Sequence, residues 1–294
     1  MSTNDQLQLA FQMIEDGVRQ VRNSDAYQRY LKVMSKFHNY SVCNSLLIYA
    51  QCPHASYIAG YRAWQNLFKR YVVRGSKAIK IIAPFKIKRK KDEDTDKTDV
   101  EDDYIIKYRA VNVFDISQTI GEPLPELVTE LKGDDKSASI LLESFKELIN
   151  DVVVLFKEPG SDKLLRSGAK GYYDIKNKHI VINKDLSINH QLKTMIHEYA
   201  HSILHTENNG TKKQQEVEAE SIAFVVCHAF GLDTSEYSFG YITSWSEGLE
   251  ADQFKMILNS IQTRANSIIE RVKPIYYKKM EEKQNEKEYQ RCTQ

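Results

Sequence analysis

The sequence predicts an α+β protein of two domains, on three observations. At 294 residues the chain is long enough for two modest cores. Its first half combines amphipathic helical patterns, aromatic residues and a basic strand-like run. Its second half sets two β-like runs ahead of two helical stretches rich in histidine and glutamate. The expected division is a first domain over 1–130, a linker at 131–139 carrying Gly133, Asp134 and Asp135, a second domain over 140–272 and a charged tail at 273–294.

The elements follow in order. Helical spacing covers 4–21 and 26–37, and a short apolar run occupies 45–50. Strands are expected at 78–85 and 104–114. Between them the net charge of +1 conceals a sharp segregation. Residues 69–91 hold ten Lys or Arg and no acid, whereas 92–103 hold eight acids and one lysine. With almost no apolar residue, 92–103 reads as a disordered, solvated insertion. The second domain opens with a helix at 140–150. Strands follow at 171–174 and 179–183, joined by the turn signal Lys176-Asn177-Lys178. Next comes a helix capped by Asn189 or Ser187, with Leu192, Met195, Ile196, Ala200, Ile203 and Leu204 at helical spacing. A further helix covers 212–230.

The bulk composition excludes several classes. Hydrophobic content of 41% and charged content of 28% fit a globular protein. No run approaches the roughly 20 apolar residues of a membrane span, and the first residues lack the basic start and apolar core of a signal peptide. Cys43, Cys52, Cys227 and Cys292 show no paired spacing, so they read as free thiols and not as a zinc finger. A cytoplasmic protein with no membrane partner is expected.

The most specific local signal is His197-Glu198-Tyr199-Ala200-His201. On a helix, histidines at i and i+4 stand one above the other and can reach a single zinc ion. The glutamate beside the first histidine is then placed to take a proton from water as general base. A third ligand is expected on the next helix. Glu216 and Glu220 share a face at i and i+4. Glu216 completes a His2Glu set, with Glu220 or Glu218 as the alternative ligand. In the first arrangement Glu220 holds the outer ring nitrogen of a ligating histidine. Zinc suits two imidazoles and a carboxylate in an open site, though manganese or iron is chemically possible. Tyr199, Tyr241 or His228 could stabilise an oxyanion, and nothing in the sequence selects among them.

The first domain carries a different chemistry. Tyr40, Ser41 and Asn44 offer hydrogen bonds, Tyr61 and Trp64 offer rings, and Arg70, Arg74, Lys77 and Lys80 offer cations. Aromatic residues interleaved with cations suit single-stranded nucleic acid, whose bases stack while its phosphates pair with the cations.

Several ordered blocks carry a resemblance. Phe37-x-x-Tyr40-Ser41-x-x-Asn44-x-Leu46-Leu47-Ile48-x-x-Gln51-x-Pro53 is followed by Gly60-Tyr61-x-x-Trp64, then by Arg70-x-Val72-x-Arg74-Gly75-x-Lys77. Val113-Phe114-Asp115-Ile116-Ser117-Gln118-Thr119 then precedes Gly121-x-Pro123. These resemble the N-terminal domain of the ArdC-type antirestriction proteins. H-E-x-x-H with Glu216-x-x-Ala219-Glu220 is similar to that family's zincin-like, gluzincin-type metallopeptidase domain. The resemblance covers roughly residues 26–270. It implies a domain that binds single-stranded DNA, fused to a zinc metallopeptidase-like domain, carried by conjugative plasmids and related mobile elements and protecting incoming DNA from restriction. The sequence departs from the pattern at Phe68 and Lys69, where many members place a glycine, and in the acidic insertion. Two functional readings stand side by side. One is a peptidase acting on a protein substrate, a regulatory protein among the possibilities. The other is a DNA-coating protein whose zinc site is structural.

Overall fold

The computed structural model describes residues 3–88, 104–124, 135–204 and 211–292, apart from 233, 235, 236, 238 and 241. The expectations for 92–103 and for Tyr241 lie outside these residues. Helices α1 (Thr3–Gln20) and α2 (Ser24–Lys36) open the chain, close to the expected spans. There follow α3 (Val42–Gln51), β1 (Ile58–Gly60), α4 (Tyr61–Asn66), β2 (Arg70–Val72), β3 (Ile79–Lys88), β4 (Tyr104–Asp115) and β5 (Thr119–Gly121). Then come α5 (Asp135–Leu148), β6 (Val153–Lys157), α6 (Lys163–Arg166), β7 (Gly171–Asp174), β8 (His179–Asn183), α7 (Ile188–Leu204), α8 (Lys212–Ala229), α9 (Ile242–Ser246) and α10 (Ala251–Cys292). None of the described helices is long and apolar enough to cross a membrane.

The chain forms two compact units, and they do not follow a single cut. One gathers Met1–Gln20 and Cys43–Leu124; the other gathers Val21–Val42 and Pro125–Gln294. Helix α2 is therefore part of the second unit, although 1–130 reads as one stretch. The reason is burial: Tyr27, Tyr30, Leu31 and Met34 on one face of α2 are fully buried, and α2 packs on α8. Tyr27 Oη lies 2.7 Å from Ser221 Oγ of α8.

In the first unit β1, β4 and β3 form an antiparallel sheet in that order, and β2 pairs with β5. Strand β3 is an edge, and α3 seals it. Asn44 Nδ2 donates to Ile82 O at 2.9 Å, and Ile82 N donates to Asn44 Oδ1 at 2.8 Å. Two turns later Gln51 Nε2 donates to Lys80 O, and Lys80 N donates to Gln51 Oε1, both at 2.9 Å. Two side-chain amides thus stand in for a neighbouring strand and satisfy backbone groups that would otherwise recruit one. Asp115 organises the turn after β4. Its carboxylate accepts N–H groups of Ser56, Tyr57 and Ser117, while Gln118 closes a capping box. Burial alone would raise the Asp115 pKa, but these bonds and the Ser117 hydroxyl hold it below the ordinary carboxylate value. Gly121 has φ +139°, and a Cβ there would meet Lys69 O at 2.5 Å, so this position requires glycine.

In the second unit β6 and β7 flank β8, parallel and antiparallel to it respectively. Strands β7 and β8 have the expected spans. Strand β6 was not expected, because its short apolar run does not alternate. Helix α7 packs on β7, β8, α5 and α8, and α10 packs on α5 and α8. Phe145, Phe224, Phe254, Leu192, Met195 and Ile196 fill the core. Residues 135–139, expected within a linker, are the first turn of α5. Residues 273–292, expected as a charged tail, continue α10 through Pro274. Beyond that proline Tyr276 is fully buried and Lys279 Nζ meets Glu147 at 2.8 Å, so packing carries the helix past the missing donor.

Candidate metal centre

Helix α7 has two faces set by its 3.6-residue period. Leu192, Met195, Ile196, Tyr199 and Ala200 point into the core. His190, Lys193, Thr194, His197 and Glu198 line a cleft. Of the two expected caps, Ser187 serves: its Oγ accepts His190 N–H and its carbonyl accepts Gln191 N–H. Helix α8 is capped by Thr211, whose Oγ1 accepts Gln214 N–H, and its period sets Glu216 and Glu220 one turn apart.

The two helices bring the expected residues together. His197 Nε2 and His201 Nε2 are 3.1 Å apart. Glu216 places Oε2 3.5 Å from His197 Nε2 and Oε1 3.6 Å from His201 Nε2. One ligand atom from each of the three lies within 4.8 Å of the others. Glu220 Oε2 lies 3.1 Å from His197 Nδ1, on the far side of the ring. It therefore orients the imidazole so that Nε2 faces the cluster. Glu218 is buried against Gln214 and is not in the cluster.

The charges say what fits here. Burial alone would lower the His197 pKa, but hydrogen bonds to Glu216 and Glu220 hold it at about 10. Bonds to His197 and His201 hold Glu216 well below the ordinary carboxylate range. The cluster thus favours an added positive charge at its centre, and two imidazole nitrogens with a carboxylate oxygen form a donor set that a divalent transition-metal ion satisfies. Replacing Glu220 with alanine is expected to weaken metal affinity about 10–100-fold without removing a ligand atom. Competition with a chromogenic chelator reads this, and unchanged affinity would show that Glu220 does not orient His197.

Glu198 is buried at 9% exposure and accepts the backbone N–H of Tyr173 on β7. Burial pushes its pKa up, against the pull of His197 and His201. The strand that supplies this donor is held close to α7. A Cβ on Gly171 would lie 2.5 Å from Thr194 Cγ2 and 2.7 Å from Val181 O, so only glycine allows the approach.

Neither Tyr199 nor His228, the two described oxyanion candidates, faces the cleft. Tyr199 is 1% exposed, and its hydroxyl accepts Arg271 Nη1–H. His228 stacks on Phe224 and lies 2.8 Å from Ser35 Oγ. Burial first, then Lys32 and Lys36, hold its pKa down at about 4. The cleft is lined instead by Tyr237, which nothing distinguishes among the 17 tyrosines. Lys193 also lines it, and its position one turn before His197 was a usable signal.

The residues expected to touch DNA are dispersed. Tyr40 and Ser41 belong to the second unit, where the Tyr40 ring packs on Phe37. Asn44 uses both ends of its amide on β3, and Lys80 N and O answer Gln51. Trp64 is fully buried and donates Nε1–H to Phe114 O at 2.9 Å. Arg70 braces β5: it donates to Thr119 Oγ1 and O at 2.8 and 3.0 Å, and also to Gly121 O and Glu122 O. Tyr61, Arg74 and Lys77 are exposed.

A surface that the sequence does not reveal is the ribbon made by β3 and β4. Ile87, Tyr104, Ile105, Ile106 and Tyr108 are exposed along it. Lys86 Nζ lies 5.8 Å from the Tyr104 ring centre, and the Arg109 guanidinium lies 5.3 Å from that of Phe85. Residues 79–88 and 104–114 carry five cations and no acid.

Two family models match separate stretches of the chain, and the first runs through α2. Residues 10–114 match the family model of the N-terminal domain of anti-restriction factor ArdC. Residues 151–244 match that of the IrrE N-terminal-like domain of the M78 peptidases. An uncharacterized pXO2 protein of Bacillus anthracis is 27% identical over 295 residues, covering 88% of this chain. The chain spans about half the length of that relative, 49%. The metal-free crystal structure of antirestriction ArdC from plasmid R388 superposes with a TM-score of 0.51 at 19% identity, covering 81% of this chain and 84% of that one. Its Mn(II)-bound structure gives 0.50 at 17% identity, covering 80% and 84%.

Proposed function

We propose that this chain, in which an ArdC-like N-terminal domain is joined to an M78 peptidase-like domain, is a metal-dependent peptidase that also binds single-stranded DNA. The observation that carries the first part is the convergence of His197, His201 and Glu216 beside the buried Glu198. A divalent ion held by those three would polarise a peptide carbonyl and lower the pKa of water from about 15.7 towards roughly 7. Glu198 takes a proton at its carboxylate and returns it to the leaving amine. Its raised pKa brings proton affinity closer to neutrality, where a general base works best. Glu220 would keep His197 Nε2 directed at the ion. Zinc is the proposed metal on the donor set. Manganese is the alternative, since the ArdC protein of plasmid R388 binds Mn(II). The test is elemental analysis of wild type and of Glu216→Ala. One metal per wild-type chain, lost in the variant, is expected. A well-folded wild type that takes up no metal overturns the reading.

The second part is favoured by the ribbon, together with Tyr61, Arg74 and Lys77. Exposed rings beside cations suit bases and phosphates of a single strand, without strong sequence preference. In this reading the protein acts in the cytoplasm on DNA of mobile elements, and its antirestriction effect comes from coating, from proteolysis of a regulatory protein, or from both. Replacing Lys86, Lys107 and Arg109 with glutamate is expected to weaken binding to oligo-dT. The slope of log affinity against log salt should fall by about 0.7 for each phosphate that the variant no longer neutralises. Fluorescence anisotropy across a salt series reads this, and an unchanged slope would remove the ribbon from the interface.

A further inference from the structure

The cleft that borders the metal cluster through His197 and Glu198 has a second end of opposite charge. It encloses about 330 Å³ and is lined along α7 from His190 to Glu198, with Gly171 of β7 and Glu220 of α8. Glu198 adjoins His197 in sequence, and Glu220 meets the outer nitrogen of the His197 ring. Lys170, immediately before β7, and Lys193, one turn before His197, line the rest with His190. Among the described residues no other carboxylate lines this space. Both lysines are well positioned. The Lys193 ammonium lies 5.6 Å from the ring centre of Tyr237, itself 9% exposed. Lys170 is fixed at its backbone, where its carbonyl accepts Asn183 N–H at 2.9 Å.

The dimensions relate this cationic end to the reacting end. One helical turn from His197 back to Lys193 is about 6 Å of rise. An extended peptide advances about 3.4 Å per residue. A chain laid along the cleft with a carbonyl at the metal cluster therefore brings a group about two residues away to the lysines. An apolar side chain there would strip water from ammonium groups without return, and a cation would be repelled. An anion gains charge-assisted hydrogen bonds. Lys193 and Lys170 thus mark the end of the cleft away from Glu198 and Glu220 as the place for an anionic group of the bound chain.

We propose that this cleft recognises a carboxylate on its peptide substrate, about two residues from the bond that is cut, through Lys193 and Lys170. The carboxylate is either an Asp or Glu side chain or the C-terminus of the peptide. The proposal rests on the peptidase reading, and the experiment separates the two.

The full chain with Glu198→Gln, loaded with zinc, is titrated into short fluorescein-labelled peptides. A single Glu is walked through one neutral background, with a Gln counterpart at each position, and each peptide is made with a free and an amidated C-terminus. Glu at one position is expected to bind about tenfold tighter than Gln if a side chain is read; a free end should beat an amide if the terminus is read. Lys193→Met keeps the aliphatic stem and should erase the difference, and Lys193→Glu should transfer the preference to a Lys-walked series. Lys170→Gln reports its share independently should either variant at 193 fail to fold. Wild-type digestion of denatured casein is followed in parallel. Casein cleavage without any Glu, Asp or C-terminal preference overturns this proposal and leaves the peptidase reading intact. Carboxylate-dependent binding without cleavage supports the site and overturns the peptidase reading. Neither cleavage nor binding overturns both.

Discussion

On the proposed peptidase reading, Glu198→Gln is expected to lower peptide hydrolysis by about 10²–10⁴-fold, the usual contribution of a general base, while leaving metal content unchanged. The substitution keeps the shape of a buried side chain whose carboxylate accepts Tyr173 N–H. The glutamine oxygen can still take that bond, so β7 and α7 stay in place. What disappears is the ability to hold a proton at the carboxylate. The three proposed ligand atoms belong to His197, His201 and Glu216 and are not altered. Cleavage of labelled casein, read beside elemental analysis of the same sample, separates the effects. A fully metallated Glu198→Gln protein working at the wild-type rate would remove Glu198 from the chemistry. Loss of metal and activity together would show that Glu198 builds the site and does not act in it.

Trp64→Ala costs the protein about 3–5 kcal/mol, the range for removing a large aromatic from a core. Trp64 is fully buried, meets Tyr57 and Phe68 edge-on or tilted, and carries its indole hydrogen bond to Phe114 O. Removal leaves a cavity and takes away that hydrogen bond. Tyr61, three residues earlier and 53% exposed, behaves in the opposite way. Tyr61→Ala should change stability by no more than about 0.5 kcal/mol, while removing the stacking of any base on the ring at roughly 1–3 kcal/mol of affinity. Denaturant unfolding and oligo-dT binding of both variants check the pair. Wild-type stability in Trp64→Ala would mean that the ring is not part of the core.

The candidate metal cluster was legible because it is local. H-E-x-x-H and the pair Glu216 and Glu220 each lie within two turns of one helix, so residue type and a 3.6-residue period suffice to place them. The strands at 171–174 and 179–183 were legible for the same reason. The first unit shows the limit. Asn44, Trp64 and Arg70 carry the polar and aromatic groups expected of a binding surface. Each turns inward, to brace an edge strand, fill a core and tie β2 to β5. A donor in a sequence does not say which acceptor it will find. The ribbon went unread because the contacts of Lys86 with Tyr104 and of Arg109 with Phe85 form only through the β3–β4 register, a pairing across the acidic segment. Lys193 was readable from its spacing to His197. Tyr237 was not, because it lies on no periodic element and reaches the cleft only through tertiary folding.

The path of the chain has a consequence for how such a protein can be taken apart or recombined. A fragment beginning at residue 131 carries α8 without α2, and so uncovers the surface on which Tyr27, Tyr30, Leu31 and Met34 pack. Such a fragment is expected to aggregate on expression, and fusing residues 21–42 to it should restore solubility; sedimentation of the two fragments reads the difference. The same connectivity constrains inheritance. A single crossover in the gene after codon 124 exchanges α2 along with the first unit. An incoming first unit must then bring an α2 that already matches the α8 it meets, or be spliced in on both sides of a retained segment 21–42.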